Sequence, residues 1–497
     1  MPEIVEARLY RGLRDLLPEQ MTGRQWMIDT IRHVYELYGF VPLATPAIEY
    51  LDVLTGSVAQ ETQQSIFRVQ GPEGEALGLR FDLTVPLARV VSQYRELPRP
   101  FRRYQIASVW RTDKPDRGRY REFTQYDIDS VGVESDIADT EIIAAMCDTL
   151  TALGVGRYKV RFSSRKILNL LLAYAQLPAE VELHVVRNRG SAHEFTETVR
   201  RPAADVFRVL DKFEKLGPEK TRLELTTGYT DESGDPIPGL GLSSEQVGKI
   251  ERFLGIGSDV RDEVLEELRA LFVSVPGASD EIDVLARISR RLDALGYKDD
   301  RVALDLSVAR GLAYYTGPVF EAVLLDAPQY GSVIGGGRFD DLVMRFLGER
   351  VPATGTSIGV DRLLAALIEL GRIPLRKSTA QVLVAVVDPP LMDEYVAMTF
   401  ELRRAGIRTE LYLGSAGIGK QLKYADEQQI PIVLMYGGNE KSRNVVTLKD
   451  MQVGRARTAQ IADREAWLRE RPGQIEVPRE KLVKGMNRVL GAIYATA

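Results

Sequence analysis

Between Phe101 and Asp129 the chain reads FRRYQIASVWRTDKPDRGRYREFTQYDID, two strand-like runs around a loop that holds Pro115 and Gly118. Alternating apolar residues on either side of a Pro/Gly-bearing loop read as a long β-hairpin. Eight Lys or Arg fall from Arg99 to Arg121, against Asp113 and Asp116. The return strand puts Gln125, Asp127 and Asp129 on one face, because alternate residues of a strand share a side. Carboxylates are depleted in strands, so two on one face are unusual. Such a hairpin offers cations to phosphates at one end and acids to an amine at the other.

The rest of the chain has to support that hairpin. Its 497 residues predict two or three domains. With 44% hydrophobic and 27% charged residues it has an ordinary globular composition. No apolar run approaches the roughly 18 residues of a membrane span. The N-terminal MPEIVEARLYRGLRDLLPEQ has mixed charge and no apolar core, so no signal peptide is expected and a cytoplasmic location fits. The single cysteine, Cys147, excludes an intrachain disulfide and a Cys-based zinc site. It falls in the helical run IADTEIIAAMCDTL, as a small buried hydrophobe would. The three histidines (His33, His184, His193) have no metal-site or triad spacing and read as structural. Chemistry must therefore come from Arg, Asp, Glu, Tyr and Gln. The net charge of −5 argues against generic nucleic-acid binding. From Gln381 onward, however, 17 Lys/Arg stand against 14 Asp/Glu, so the basic hairpin lies in an acidic body.

Periodicity gives the organisation. Apolar positions from Met21 to Tyr38 repeat at helical spacing and Gly39 ends them. LGLRFDLTVPLARVV runs from strand into helix, and residues 158–164 and 182–187 read as strands. From Ala203 to Leu295 the pattern is mainly helical, interrupted by TTGYTDESGDPIPGLG, which reads as a loop. Strands return with VALDLSVARGLAYYTGPVFEAVLL. A glycine-rich turn, GSVIGGGRFDDLV, follows, then TGTSIGVDRLLAALIEL. Beyond LGRIPLRKSTA, strands and helices alternate as in a small α/β domain with a largely parallel sheet.

These residues resemble the class II aminoacyl-tRNA synthetases, and among them the histidyl-tRNA synthetases. RGLRDLLP (Arg11–Pro18) is similar to that family's N-terminal signature, and YGFVPLATPAIEY to the first class II motif. The hairpin is similar to the second motif and GTSIGVDRLLAAL to the third. ARGLAYYTGPVFEA and GSVIGGGRFDDLV resemble two signatures of the histidine enzymes, and GKQLKYADEQQIPIVLMYG the anticodon-binding domain.

The resemblance implies an α+β catalytic domain with an antiparallel sheet, an inserted helical subdomain, and a C-terminal α/β anticodon-binding domain. The expected bounds are 1–165 and 301–372 for the catalytic parts and 166–300 for the insertion. The anticodon-binding domain would run over 380–460 and a helical extension over 461–497. The implied activity is histidine–tRNA ligation with ATP and Mg2+ in a homodimer joined through the first motif. Its substrates would be L-histidine, ATP and tRNA(His), with no membrane partner and no tightly held protein metal. Arg111 would hold the α-phosphate, Arg119 and Arg362 the outer phosphates, and Phe123 the adenine. Arg310 would bridge the histidine carboxylate and the α-phosphate. Asp82, Thr84 and Gln125 would receive the α-amine. Asp129 and Tyr315, with Tyr314 alongside, would select the imidazole, and Gly335, Gly336 and Gly337 would floor the pocket. The hairpin tip, Lys114 to Arg117, would face the tRNA acceptor end. Lys420, Lys423 and Arg443 carry no assignment beyond a basic surface.

Two positions depart from the family pattern: Ala313 stands where many members have Asp, and Phe339 where many have Tyr. They keep an alternative in view, a histidine-sensing paralogue resembling the regulatory subunit of ATP phosphoribosyltransferase. That protein shares the catalytic fold and lacks the anticodon domain.

Overall fold

The computed structural model describes residues 5–56, 63–115, 118–177, 180–188, 194–202, 205–210, 212–231, 234, 236–308, 315–453 and 473–495. The chain forms two compact units, Met1–Arg14 with Met27–Arg372, and Asp15–Trp26 with Ile373–Ala497.

The first unit is built on an eight-stranded sheet. Its strands are β1 (Val41–Pro42), β2 (Phe101–Trp110), β3 (Glu122–Val131), β4 (Tyr158–Ser164), β5 (Val302–Leu304), β6 (Pro318–Leu324), β7 (Ser332–Arg338) and β8 (Ala353–Gly359). They lie in the order β1-β2-β3-β8-β7-β6-β4-β5. The two edge pairs, β1/β2 and β4/β5, are parallel and all the pairs between them antiparallel. The expected hairpin is β2–β3, paired from Phe101 opposite Val131 to Trp110 opposite Glu122.

Side-chain alternation gives the sheet two different faces. Tyr126 and Ile128 are fully buried on one of them. Tyr126 meets Tyr35, on helix α1 (Pro18–Leu37), edge to face with ring centroids 5.1 Å apart. Such a pair contributes roughly 0.5–1.5 kcal/mol beyond its buried area. Gln125, Asp127 and Asp129 fall on the opposite face. Cys147 is buried in the helix Ile137–Ala152, and desolvation pushes its thiol up to about 12.

Between β4 and β5 the chain leaves the sheet. This insertion holds the helices Arg165–Tyr174, Asp205–Leu210, Phe213–Leu225, Ser244–Leu254, Arg261–Leu271 and Ala278–Ala294. Ser243 and Gln246 close a reciprocal capping box on the fourth of these. The polar stretch read as a loop contains a short hairpin, Gly228–Thr230 against Pro236–Pro238, which its prolines and glycines concealed.

The second unit carries a five-stranded sheet in the order Thr409–Leu411, Val382–Val384, Ile432–Met435, Val445–Asp450, Gln474–Pro478. The first three strands are parallel and the last two antiparallel, so the sheet is more mixed than its strand–helix alternation suggests. The segment set apart in sequence as a helical extension supplies the fifth strand and the helix Leu482–Ala495. Val477, Leu482, Met486 and Val489 share one core with Val382, Val446 and Leu448.

The glycine-rich stretch expected to turn does not do so. Gly335, Gly336 and Gly337 lie inside β7, flanked by β6 and β8. None adopts positive φ. A Cβ on Gly336 would overlap the Gly355 carbonyl oxygen. Close strand approach, not a bend, explains glycine there.

Candidate active site

Two adjoining cavities open on the polar face of the sheet. The larger, about 330 Å³, is lined by Arg111 at the end of β2, Arg119 in the hairpin loop, Phe123 on β3, and Arg362. Arg362 lies in the first turn of the helix Val360–Glu369 and donates to the Ser332 carbonyl at 2.7 Å. The Arg111 guanidinium lies 5.2 Å from the Phe123 ring centroid, and its Nε donates to the Phe81 carbonyl at 3.0 Å. Gly118 turns the loop at φ +67, which a side chain rarely adopts, and its Cα faces the Arg362 backbone. Three guanidiniums around one cleft make a site for a polyanion with a planar ring.

The smaller cavity, about 90 Å³, is lined by Asp82, Thr84, Asp127, Asp129, Tyr315 and Phe339, among others. Arg111, Gln125, Gly335 and Ser357 border both cavities. Gln125 donates through Nε2 to Ser357 Oγ at 2.8 Å. Its buried Oε1 has no hydrogen-bond partner among the described residues, so it is left as an acceptor. Asp82, two residues before the helix Thr84–Gln93, accepts through Oδ1 from the Val85 amide at 3.0 Å.

Burial pushes the carboxyls of Asp127 and Asp129 up, away from the usual carboxylate range. The Arg103 guanidinium opposes that shift in both, and the neighbouring acids reinforce it. Gly355 sits beside Asp129 because a Cβ there would overlap Asp129 Oδ1.

The walls are braced from the N-terminal signature. Arg14 donates to the Tyr120 hydroxyl at 2.9 Å and to Asp361 Oδ1 at 2.6 Å. The other Asp361 oxygen accepts from the Thr124 amide at 2.6 Å. The Arg121 amide donates to the Gly12 carbonyl at 2.9 Å. Residues 12 and 14 therefore tie the hairpin to the helix that carries Arg362.

The larger cleft thus gathers Arg111, Arg119, Phe123 and Arg362, and the smaller cavity Asp82, Thr84, Gln125, Asp129 and Tyr315. Arg310, Tyr314, Ala313 and Arg117 lie outside the described residues. Phe339 is buried and packs in a core with Phe81 and Val85 while bordering the smaller cavity. Lys420, Lys423 and Arg443 are exposed; Arg443 pairs with Glu476 at 2.9 Å. Among the site residues that sequence reasoning left out are Arg14, Arg103, Asp127, Gly355 and Asp361. The alternation TQYDID already put Asp127 on the site face. Arg103 needed the strand register, which no local pattern supplies.

The model of the histidyl-tRNA synthetase family matches residues 12–234 and 241–363. The chain belongs to that family. An anticodon-binding-domain model matches residues 381–471. A histidine–tRNA ligase of Cereibacter sphaeroides is 43% identical over 97% of each chain. The crystal structure of histidyl-tRNA synthetase from Nostoc sp. PCC 7120 superposes with a TM-score of 0.78 at 30% identity, covering 98% of this chain and all of that one. An ATP phosphoribosyltransferase regulatory subunit/histidyl-tRNA synthetase from Bacillus halodurans shares the fold, with a TM-score of 0.64 at 21% identity over 85% of this chain and 97% of that one. Among the described residues, no helix is long and apolar enough to cross a membrane.

Proposed function

We propose that this chain is a histidine–tRNA ligase, which activates L-histidine with ATP and transfers it to the 3′ end of tRNA(His). The observation that carries the reading is the shared wall. Arg111, Gln125, Gly335 and Ser357 border both a cationic cleft and an acidic pocket. A molecule with an ammonium and a ring would then present its carboxylate to a nucleotide phosphate.

In the first step a carboxylate oxygen of histidine attacks the α-phosphorus of ATP. The bond to the β-phosphate oxygen breaks and pyrophosphate leaves with its electron pair. Charge gathers on the phosphorus oxygens, so fixed cations lower this barrier most. Arg111 would take the α-phosphate, Arg119 and Arg362 the outer phosphates, and Phe123 the adenine. Arg310 would bridge the carboxylate and the α-phosphate, as the family resemblance implies. In the second step a ribose hydroxyl of the tRNA attacks the acyl carbon and AMP leaves. The hairpin tip, Lys114 to Arg117, would lie towards the acceptor end.

Asp82, Thr84 and the free carbonyl of Gln125 suit an α-ammonium, which needs acceptors on several sides. Asp129 and Tyr315, with Tyr314, would bond the imidazole. An amino acid without ring N–H groups would leave those buried polar groups unsatisfied, which supports strong discrimination. Mg2+ would enter with ATP as the counter-ion of its phosphates. Homodimerisation through the first motif and a cytoplasmic location complete the proposal, with the domain bounds given above except that the strand Gln474–Pro478 and the helix Leu482–Ala495 count as part of the anticodon-binding domain. The sensing paralogue lacks a C-terminal domain, and the match over residues 381–471 disfavours it.

Histidine-dependent exchange of labelled pyrophosphate into ATP tests the reading. Exchange should appear with histidine and stay at background with the other amino acids. Purified, folded protein that gives no exchange would refute it.

A further inference from the structure

We infer that Arg103 is a positioning residue for histidine recognition, orienting Asp129 towards the imidazole, and that Asp127 is the second carboxylate this guanidinium serves. The inference rests on the reading of the smaller cavity as the histidine pocket.

Arg103 is 0% exposed, and Asp127 and Asp129 are each 2% exposed. A guanidinium is not held away from water unless opposite charge compensates it. Arg103 on β2 stands directly opposite Asp129 on β3 in the ladder. Its Nη2 lies 2.7 Å from Asp129 Oδ2 and donates to the Leu83 carbonyl at 3.1 Å. Leu83 sits between Asp82 and Thr84, so one guanidinium joins the expected amine-binding segment to the expected imidazole-binding acid.

Asp129 is confined from the other side as well. Gly355 is its partner on β8, and any Cβ there would displace Oδ1. The carboxylate is thus wedged between Arg103 and a bare strand, with the cavity before it. Asp127, two residues away on the same face, has an Oδ1 without a hydrogen-bond partner among the described residues. Nε and Nη1 of Arg103 are in the same condition. Three buried carboxylates, Asp82, Asp127 and Asp129, border a pocket beside this buried guanidinium. The pocket keeps a surplus of negative charge for the ligand's cationic groups, and Arg103 sets its size.

Removing Arg103 alone leaves two adjacent buried acids uncompensated, and one of them then takes a proton. A protonated Asp129 donates where it should accept. Removing one acid as well restores the balance. The Arg103→Met variant should raise the histidine KM in pyrophosphate exchange about 10²-fold, leaving the ATP KM within about twofold. The double variant Arg103→Met/Asp127→Asn should recover about tenfold of that loss and leave the remaining roughly tenfold. A merely structural arginine would give equal losses in both variants and affect both substrates alike.

Should Arg103→Met fail to fold, the charge-balanced double variant is compared with Asp127→Asn alone. A histidine KM still raised about tenfold supports the proposal, and equality overturns it. Unchanged histidine KM in a folded Arg103→Met variant overturns it outright. Wild-type protein without exchange would instead sink the ligase reading, and an unaltered histidine KM in Asp129→Asn would sink the pocket assignment. The failures are therefore distinguishable.

Discussion

Arg14 and Asp361 lie 347 positions apart in the chain and 2.6 Å apart in the structure. Asp361 is the neighbour of Arg362, and its second oxygen accepts from the Thr124 amide next to Phe123. Neither Arg14 nor Asp361 has to touch a nucleotide to matter. Together they fix the distance between the helix that presents Arg362 and the strand that presents Phe123.

Arg14→Met should therefore weaken ATP use while sparing histidine. Loss of the ion pair to the buried Asp361 and of the hydrogen bond to Tyr120 predicts an increase of about tenfold in ATP KM. Pyrophosphate exchange at varied ATP and saturating histidine measures it. A variant with the wild-type ATP KM would show that the brace carries no load.

Two glycines of the site should respond differently to one methyl group. A Cβ on Gly355 would overlap the Asp129 side chain, whereas on Gly335 the nearest heavy atom would be 3.8 Å away, leaving the protein undisturbed. Gly355→Ala should lower the melting temperature and raise the histidine KM. Gly335→Ala should fold with wild-type stability yet obstruct the wall shared by both cavities, raising both KM values. Thermal melts beside exchange kinetics separate the two outcomes. Unimpaired kinetics in Gly335→Ala would move the ligands off that wall.

The assigned roles of Arg310 and Asp129 predict a split between rate and affinity. Arg310→Ala should cut adenylation by about 10²–10³-fold, roughly 3–4 kcal/mol of transition-state stabilisation. Asp129→Ala should chiefly raise the histidine KM. Single-turnover adenylate formation for the first and exchange kinetics for the second are the measurements. Wild-type turnover in Arg310→Ala would remove that residue from the chemistry.

Much of this site was legible because its chemistry is concentrated in short runs. The hairpin holds Arg111, Arg119, Phe123, Gln125 and Asp129 within one short stretch; turn signals and period two gave the hairpin and the shared face of Gln125 and Asp129, while the family resemblance gave the roles of Arg111, Arg119 and Phe123. The partners that fix those residues come from elsewhere in the chain. Arg103 faces Asp129 only through a ladder register set by the length of the intervening loop. Arg14 reaches Asp361 only after the whole sheet has formed. The run GSVIGGGRFDDLV reads as a turn in sequence because glycine signals either a bend or a close approach, and only the neighbouring strand, β8, distinguishes them. Gln474–Pro478 was hidden because a strand that completes an existing sheet needs little signal of its own.

The buried acids give the catalytic unit a pH signature. Desolvation, reinforced by Asp129 and Asp82 and opposed by Arg103 and the Ser357 hydroxyl, pushes the Asp127 carboxyl from the ordinary 3.8 to about 7. Between those values the folded chain binds a proton that the unfolded chain has lost. Stability from this group is therefore full below about pH 4 and is lost as pH rises towards 7. Asp127→Asn removes the titration while keeping the shape. The variant should match wild type near pH 4 and exceed it progressively towards pH 8, by an amount on the order of 4 kcal/mol. Paired thermal or urea melts of the two proteins across this range test it. A stability difference that stays constant with pH would show that Asp127 is ionised throughout, with Arg103 fully compensating its charge.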